Sequence, residues 1–149
     1  MSLQQRISDE LKQAMLAKNA DKLSTLRLLK SAIGYAQIEK KTDELSDPDI
    51  IAVIQKEAKK RRDSIEQYRT AGRTDLADKE ASELVVLETF LPKPLSAEEL
   101  DALVRATIQE LGASTRKDMG PVVKAVQAKA AGRADGKAIS SVVSKLLPP

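Results

Sequence analysis

The side chains best suited to chemistry in this chain are basic, and they gather near its end. The turn Gly132-Arg133-Ala134-Asp135-Gly136 sets two glycines around an arginine, and Lys137 follows directly. Glycine lets a backbone approach a ligand closely. A helix opening after the turn offers unpaired amides flanked by Arg133 and Lys137, a combination that suits a phosphate. An ordinary helix-to-helix turn capped by Asp135 accounts for the same residues equally well. The spacing is not that of a Walker-type loop, which needs a longer glycine spacing and a Lys-Ser/Thr ending. From Ser114 onward seven basic residues (Arg116, Lys117, Lys124, Lys129, Arg133, Lys137 and Lys145) face only two acids, Asp118 and Asp135. That segment carries +5 in a chain whose total is +3, an asymmetry that steers an anionic partner.

Other chemistries are excluded by composition. The chain has no His, no Cys and no Trp. Structural zinc needs thiolate or imidazole ligands, so no metal site is expected. Cysteine nucleophiles and histidine bases are absent, disulfides cannot form, and no cofactor is implied.

One charge sits on an apolar stripe. Ile54, Ala58, Arg61, Ile65 and Tyr68 share a helix face, and Leu76, Glu80, Glu83, Leu87 and Phe90 share another. A charge on such a face needs a partner. A structural ion pair of Arg61 with Glu80 or Glu83 is the favoured reading over paired carboxylates doing acid/base work. The dense run Lys56, Lys59, Lys60, Arg61 and Arg62 is interleaved with Glu57, Asp63 and Glu66, which marks a solvated face more than a nucleic-acid contact. The aromatics Tyr35, Tyr68 and Phe90 all fit apolar helix faces, leaving almost none to stack bases. A nucleic-acid partner would be gripped by backbone and shape.

These residues must be positioned by helices, because apolar residues recur at helical spacing almost throughout. Ser2 caps a first helix with Leu3, Ile7, Leu11 and Met15 on one face, ending at Asn19-Ala20-Asp21. A second carries Leu23, Leu26, Leu29 and Ile33 and fades after Lys40-Lys41. Asp47-Pro48 reads as N-cap and first-turn proline of a third, which runs toward Gly72. Thr74 caps a fourth, ending near Phe90. In Leu91-Pro92-Lys93-Pro94-Leu95 two prolines spaced by one residue break any helix. Ser96-Ala97-Glu98-Glu99 is a capping box for a fifth helix, closed at Leu111-Gly112. A helix from about Pro121 and a last one to Leu147 follow. The reading is an all-α chain: residues 1–91 a four-helix N-terminal unit, 92–95 a proline linker, and 96–149 a three-helix C-terminal unit.

Six stretches, in order, resemble the YqeY family, which is related to the tail of the amidotransferase subunit GatB. They are Leu26–Lys30, Arg61–Ile65 with Tyr68, Gly72–Leu76 with Glu80 and Glu83, Phe90–Pro92, Lys117–Gly120, and Gly132–Lys137. The sequence departs from related ones at Pro121, where a basic residue is usual. The resemblance implies an all-helical fold and a link to tRNA, since the GatB tail holds the outer corner of tRNA and related modules are attached to a glutaminyl-tRNA synthetase. It also implies carbon–nitrogen ligase chemistry with glutamine as amido donor. The ATP- and metal-using body and the serine–lysine amidase of that reaction have no counterpart in these helices, so the isolated chain is expected to be inert.

The leading expectation is therefore a tRNA-binding accessory module for aminoacylation or transamidation, partnered with tRNA and with a synthetase or amidotransferase. The expected contacts are Lys117, Lys124, Lys129, Gly132, Arg133, Gly136, Lys137 and Lys145, with Arg133 an exposed turn residue whose loss costs little stability. The alternatives are a subunit contributing to amide transfer inside a complex, and an adaptor whose basic end meets acidic protein. No apolar run approaches a membrane span and the first residues lack the apolar core of a signal peptide, so no membrane partner and a cytoplasmic location are expected.

Overall fold

Polar side chains cap five of the helices, because the first amides of a helix have no partner inside it. The computed structural model describes residues 1–149. It consists of seven α-helices and one short 3-10 turn, the all-α architecture that the periodicity predicts. Contacts divide it into two compact units, Met1–Leu91 and Pro92–Pro149.

The first unit contains α1 (Leu3–Leu16), α2 (Ala20–Lys40), α3 (Asp47–Thr70) and α4 (Thr74–Glu88). The Ser2 hydroxyl accepts from Gln5 N–H at 3.1 Å, and the Asn19 side chain accepts from Lys22 N–H at 3.2 Å. At α3 the cap is Ser46, whose hydroxyl accepts from Asp49 N–H at 3.4 Å, not Asp47 as the sequence suggested. Asp47 works elsewhere: its carboxylate accepts from Leu3 N–H at 2.9 Å and ties the start of α1 to the start of α3. Thr74 is likewise the first residue of α4 rather than its cap, and Arg73 precedes it without a side-chain cap. Gly72 lies in the middle of the α3–α4 loop at φ +74, a left-handed conformation natural to glycine. Ile7, Leu26, Leu29, Ile33, Ile50, Ile54, Leu87 and Phe90 form the core of this unit. Arg6 covers it at one point, its guanidinium 5.0 Å from the Phe90 ring centre and donating to the Thr89 carbonyl at 3.0 Å.

The second unit contains α5 (Ala97–Leu111), the 3-10 turn Arg116–Asp118, α6 (Met119–Ala130) and α7 (Gly136–Leu146). Its own core joins Leu100, Val104, Val122, Val126, Ile139, Val143 and Leu147. Ser96 caps α5 through Glu99 N–H at 3.1 Å. A full capping box lies at Thr115 and Asp118, one turn ahead of the expected start at Pro121, which instead falls inside the first turn of α6. Arg116 fastens this turn to the end of α7 by donating from its amide to the Pro148 carbonyl at 3.0 Å and from its guanidinium to the Ser144 carbonyl at 3.2 Å.

Candidate nucleic-acid interface

A basic side chain can meet a phosphate only if it is exposed and not already committed. The second unit sorts its basic residues on that criterion. Lys117 stands exposed on the 3-10 turn and Lys124 stands exposed on α6. Lys137 and Lys145 stand exposed on α7, at its first turn and its last. Lys129 is exposed too, but its ammonium is ion-paired with Glu110 and lies 3.4 Å from the Thr107 hydroxyl.

Arg133 is committed in a way the sequence did not reveal. Its Nε donates to the Lys93 carbonyl at 2.9 Å, and its own carbonyl accepts from Leu95 N–H at 2.8 Å. A terminal nitrogen of the same guanidinium lies 3.5 Å from Glu99. The turn therefore clasps the proline segment against the second unit. The backbone reason is local: Ala131 and Gly132 both have positive φ, +49 and +86, which swings the chain back after α6 and lets Arg133 N–H reach the Ala130 carbonyl at 2.9 Å. Asp135 then caps α7, its carboxylate accepting from Ala138 N–H at 2.7 Å. Gly136 is crowded, since a β-carbon there would stand 3.1 Å from the Gln127 side-chain nitrogen. The Arg133 side chain keeps 41% of its surface exposed, so it stands on the turn as expected while also holding the proline segment.

Both acids of the basic segment serve as caps. Asp118 accepts from Ser114 N–H at 3.0 Å and from Thr115 N–H at 3.3 Å. Those amides hold its carboxyl below the usual carboxylate range.

In the first unit Arg61 is buried on α3 between two carboxylates. Its Nε is 3.4 Å from Glu83 of α4, and a terminal nitrogen is 3.5 Å from Glu57 one turn back. Nε is close enough to Glu83 for electrostatic attraction, yet it is not aligned for a hydrogen bond with any group. Glu80, one turn before Glu83 on α4, is half-buried.

Sequence reasoning missed one surface. Tyr35, assigned to an apolar helix face, is 76% exposed, and Ile38 on the same helix is 75% exposed. The available signal was that α2 places large apolar residues on two sides, Leu26, Leu29 and Ile33 inward and Leu28, Tyr35 and Ile38 outward.

Comparison with known proteins reaches most of the chain. An uncharacterized protein of Schizosaccharomyces pombe is 40% identical over 95 residues, covering 64% of this chain and 76% of that protein. Altered inheritance of mitochondria protein 41, mitochondrial, of Pyrenophora tritici-repentis is 31% identical over 145 residues, 95% of this chain and 79% of that one. Its namesake in Vanderwaltozyma polyspora is 35% identical over 107 residues, and the matched region is 58% of that protein's length. These names overturn the cytoplasmic expectation: several relatives are named as mitochondrial proteins, and the opening residues of the chain give no ground for assigning the cytoplasm against them. The model of the Yqey-like protein family matches residues 4–147, and on that match the chain belongs to the YqeY family.

Proposed function

We propose that the second unit is a tRNA-binding module that assists aminoacylation or tRNA-dependent transamidation, holding tRNA by its phosphates and folded shape. The observation that carries this reading is the set of exposed lysines Lys117, Lys124, Lys137 and Lys145 on α6, α7 and the turn before them. The acids nearest in sequence, Asp118 and Asp135, are occupied as helix caps. An exposed lysine neutralises phosphate as a point charge and reads no base, so affinity follows charge and shape rather than sequence. Gly132, Arg133 and Gly136 set the turn, and Arg133 and Lys129, each held by one carboxylate, contribute charge beside the lysines.

Salt dependence tests the proposal. Each phosphate contact released should flatten the slope of log affinity against log salt by about 0.7–0.9. Fluorescence anisotropy with unmodified tRNA across a salt series should show a steep fall for the natural chain. Lys137→Ala, and more strongly Lys124→Ala with Lys137→Ala, should weaken binding to several tRNAs alike and lower the slope by one and two contacts. Absence of binding at low salt, or equal slopes for all three proteins, would refute the reading.

A further inference from the structure

We propose that the furrow between α2 and α3 of the first unit is a docking site for an amphipathic helix of a partner protein, one whose apolar stripe is flanked by acidic residues. This rests on the first unit alone and stands apart from the tRNA reading.

α3 packs closely along α4 and only sparingly along α2, which leaves an open groove of about 650 Å³ beside α2. Its floor is aliphatic, with Leu28, Ala32, Ala36 and Val53 among the lining residues, and Tyr35 standing in it. A second hollow of about 320 Å³ continues it along α2 through the shared residues Leu28 and Ser31. The two together follow α2 from Ala20 to Lys40, which at about 1.5 Å per residue makes a bed for between five and six turns of helix. Leu28, Tyr35 and Ile38 are 51%, 76% and 75% exposed on this one helix. Scattered single apolar residues are normal on a surface, but a helix apolar on both sides is ordinarily covered on both.

The charges name the occupant. Arg27 on α2 and Lys56 on α3 are exposed and line these hollows, as does Lys60, which is exposed but paired with Glu57. The acids among them are largely committed: Glu57 to Arg61 and Lys60, and Asp49 to Lys40 at 2.6 Å, a contact that holds the Asp49 carboxyl below the usual range. Glu39 is the one lining carboxylate outside these pairs. An apolar floor with cations on both helices complements an apolar stripe edged by glutamate or aspartate. A second copy of this surface would set the same cations against each other. A single-stranded RNA would find one aromatic ring on an otherwise aliphatic floor.

Two labelled helical peptides of about 18 residues, some 27 Å long, make the test. Both carry leucine at i, i+3, i+4 and i+7; one has glutamate at the flanking positions and the other lysine. The full chain should bind the glutamate peptide and not the lysine peptide in fluorescence anisotropy. Tyr35→Asp should weaken binding roughly tenfold or more, as loss of a central anchor does. Lys56→Glu with Lys60→Glu should exchange the preference, so that the lysine peptide binds better; a gain of binding requires a folded variant. Failure of the glutamate peptide to bind, equal binding of both peptides, or indifference to the substitutions overturns the proposal. So does light scattering that finds a dimer converted to monomer by Tyr35→Asp, or a single-stranded RNA whose binding that variant abolishes.

Discussion

Arg61 shows what a single buried charge demands. Only 10% of its side chain is exposed, and Glu57 and Glu83 are nearly as sheltered at 15% and 14%. The helical stripe made its burial legible, because an arginine between Ala58 and Ile65 has nowhere to go but inward. Which carboxylate would meet it was not legible, since Glu80 and Glu83 lie about 60° apart around α4 and the stripe admits both. Removing the guanidinium takes away the charge between two sheltered carboxylates and leaves Glu57 only its exposed partner Lys60. Arg61→Ala should therefore cost about 3 kcal/mol. Glu83→Gln in the same chain should recover part of that loss, because it removes one of the stranded charges. Urea denaturation of the two single variants and the double variant measures the coupling. Additive losses would mean that the three groups are not a unit.

At the scale of elements, helix content was readable from apolar spacing, while helix ends and faces were read less well. Leu3, Ile7, Leu11 and Met15 recur every fourth residue, but a helix turns about 100° per residue. Three such steps carry Met15 about 120° away from Leu3. Met15 is accordingly 51% exposed and Ala14 takes its place in the core. The start of α6 was hidden for another reason. A proline in the first turn suggests a start at Pro121, whereas Thr115 and Asp118 satisfy the free amides one turn earlier. That cap should be visible in acid. The amides of Ser114 and Thr115 favour the charged form of Asp118, so its folded pKa lies below its unfolded one. Its contribution is then complete above the unfolded carboxylate range, about pH 4, and is lost as the pH falls through the lowered folded value. Asp118→Asn should destabilise the chain at neutral pH, and the gap to the natural protein should close below about pH 4. Denaturation midpoints from pH 7 to pH 2 test it; a gap of constant size would assign the effect to something other than the charge.

On the scale of the whole chain, each unit has a core built from its own residues: Leu91 packs against the core of the first, and Leu95 against that of the second. Leu91-Pro92-Lys93-Pro94-Leu95 was legible as a break, because prolines so spaced end a helix. What it does after breaking the helix was not legible, since its partners lie 40 residues away at Arg133. The second unit is small, and domains of this size bury only about 60% of the surface their unfolded chains expose. Its margin is correspondingly narrow, so the partly buried Leu95 and the two hydrogen bonds to Arg133 matter. Together they should contribute about 2 kcal/mol. A fragment of residues 92–149 should unfold cooperatively, followed by circular dichroism with temperature. One of residues 96–149, which keeps α5 to α7 intact, should be less stable by about that amount, several degrees or more in Tm for a domain this small. Arg133→Ala in the longer fragment removes the side-chain bond to Lys93 and should lose part of the same difference, since the backbone bond from Leu95 remains; in the shorter one it should lose almost none, because only the exposed pair with Glu99 is left. Equal stability of the two fragments would reduce the proline segment to a tether. A loss from Arg133→Ala that is the same in both would place the arginine's role inside the turn itself.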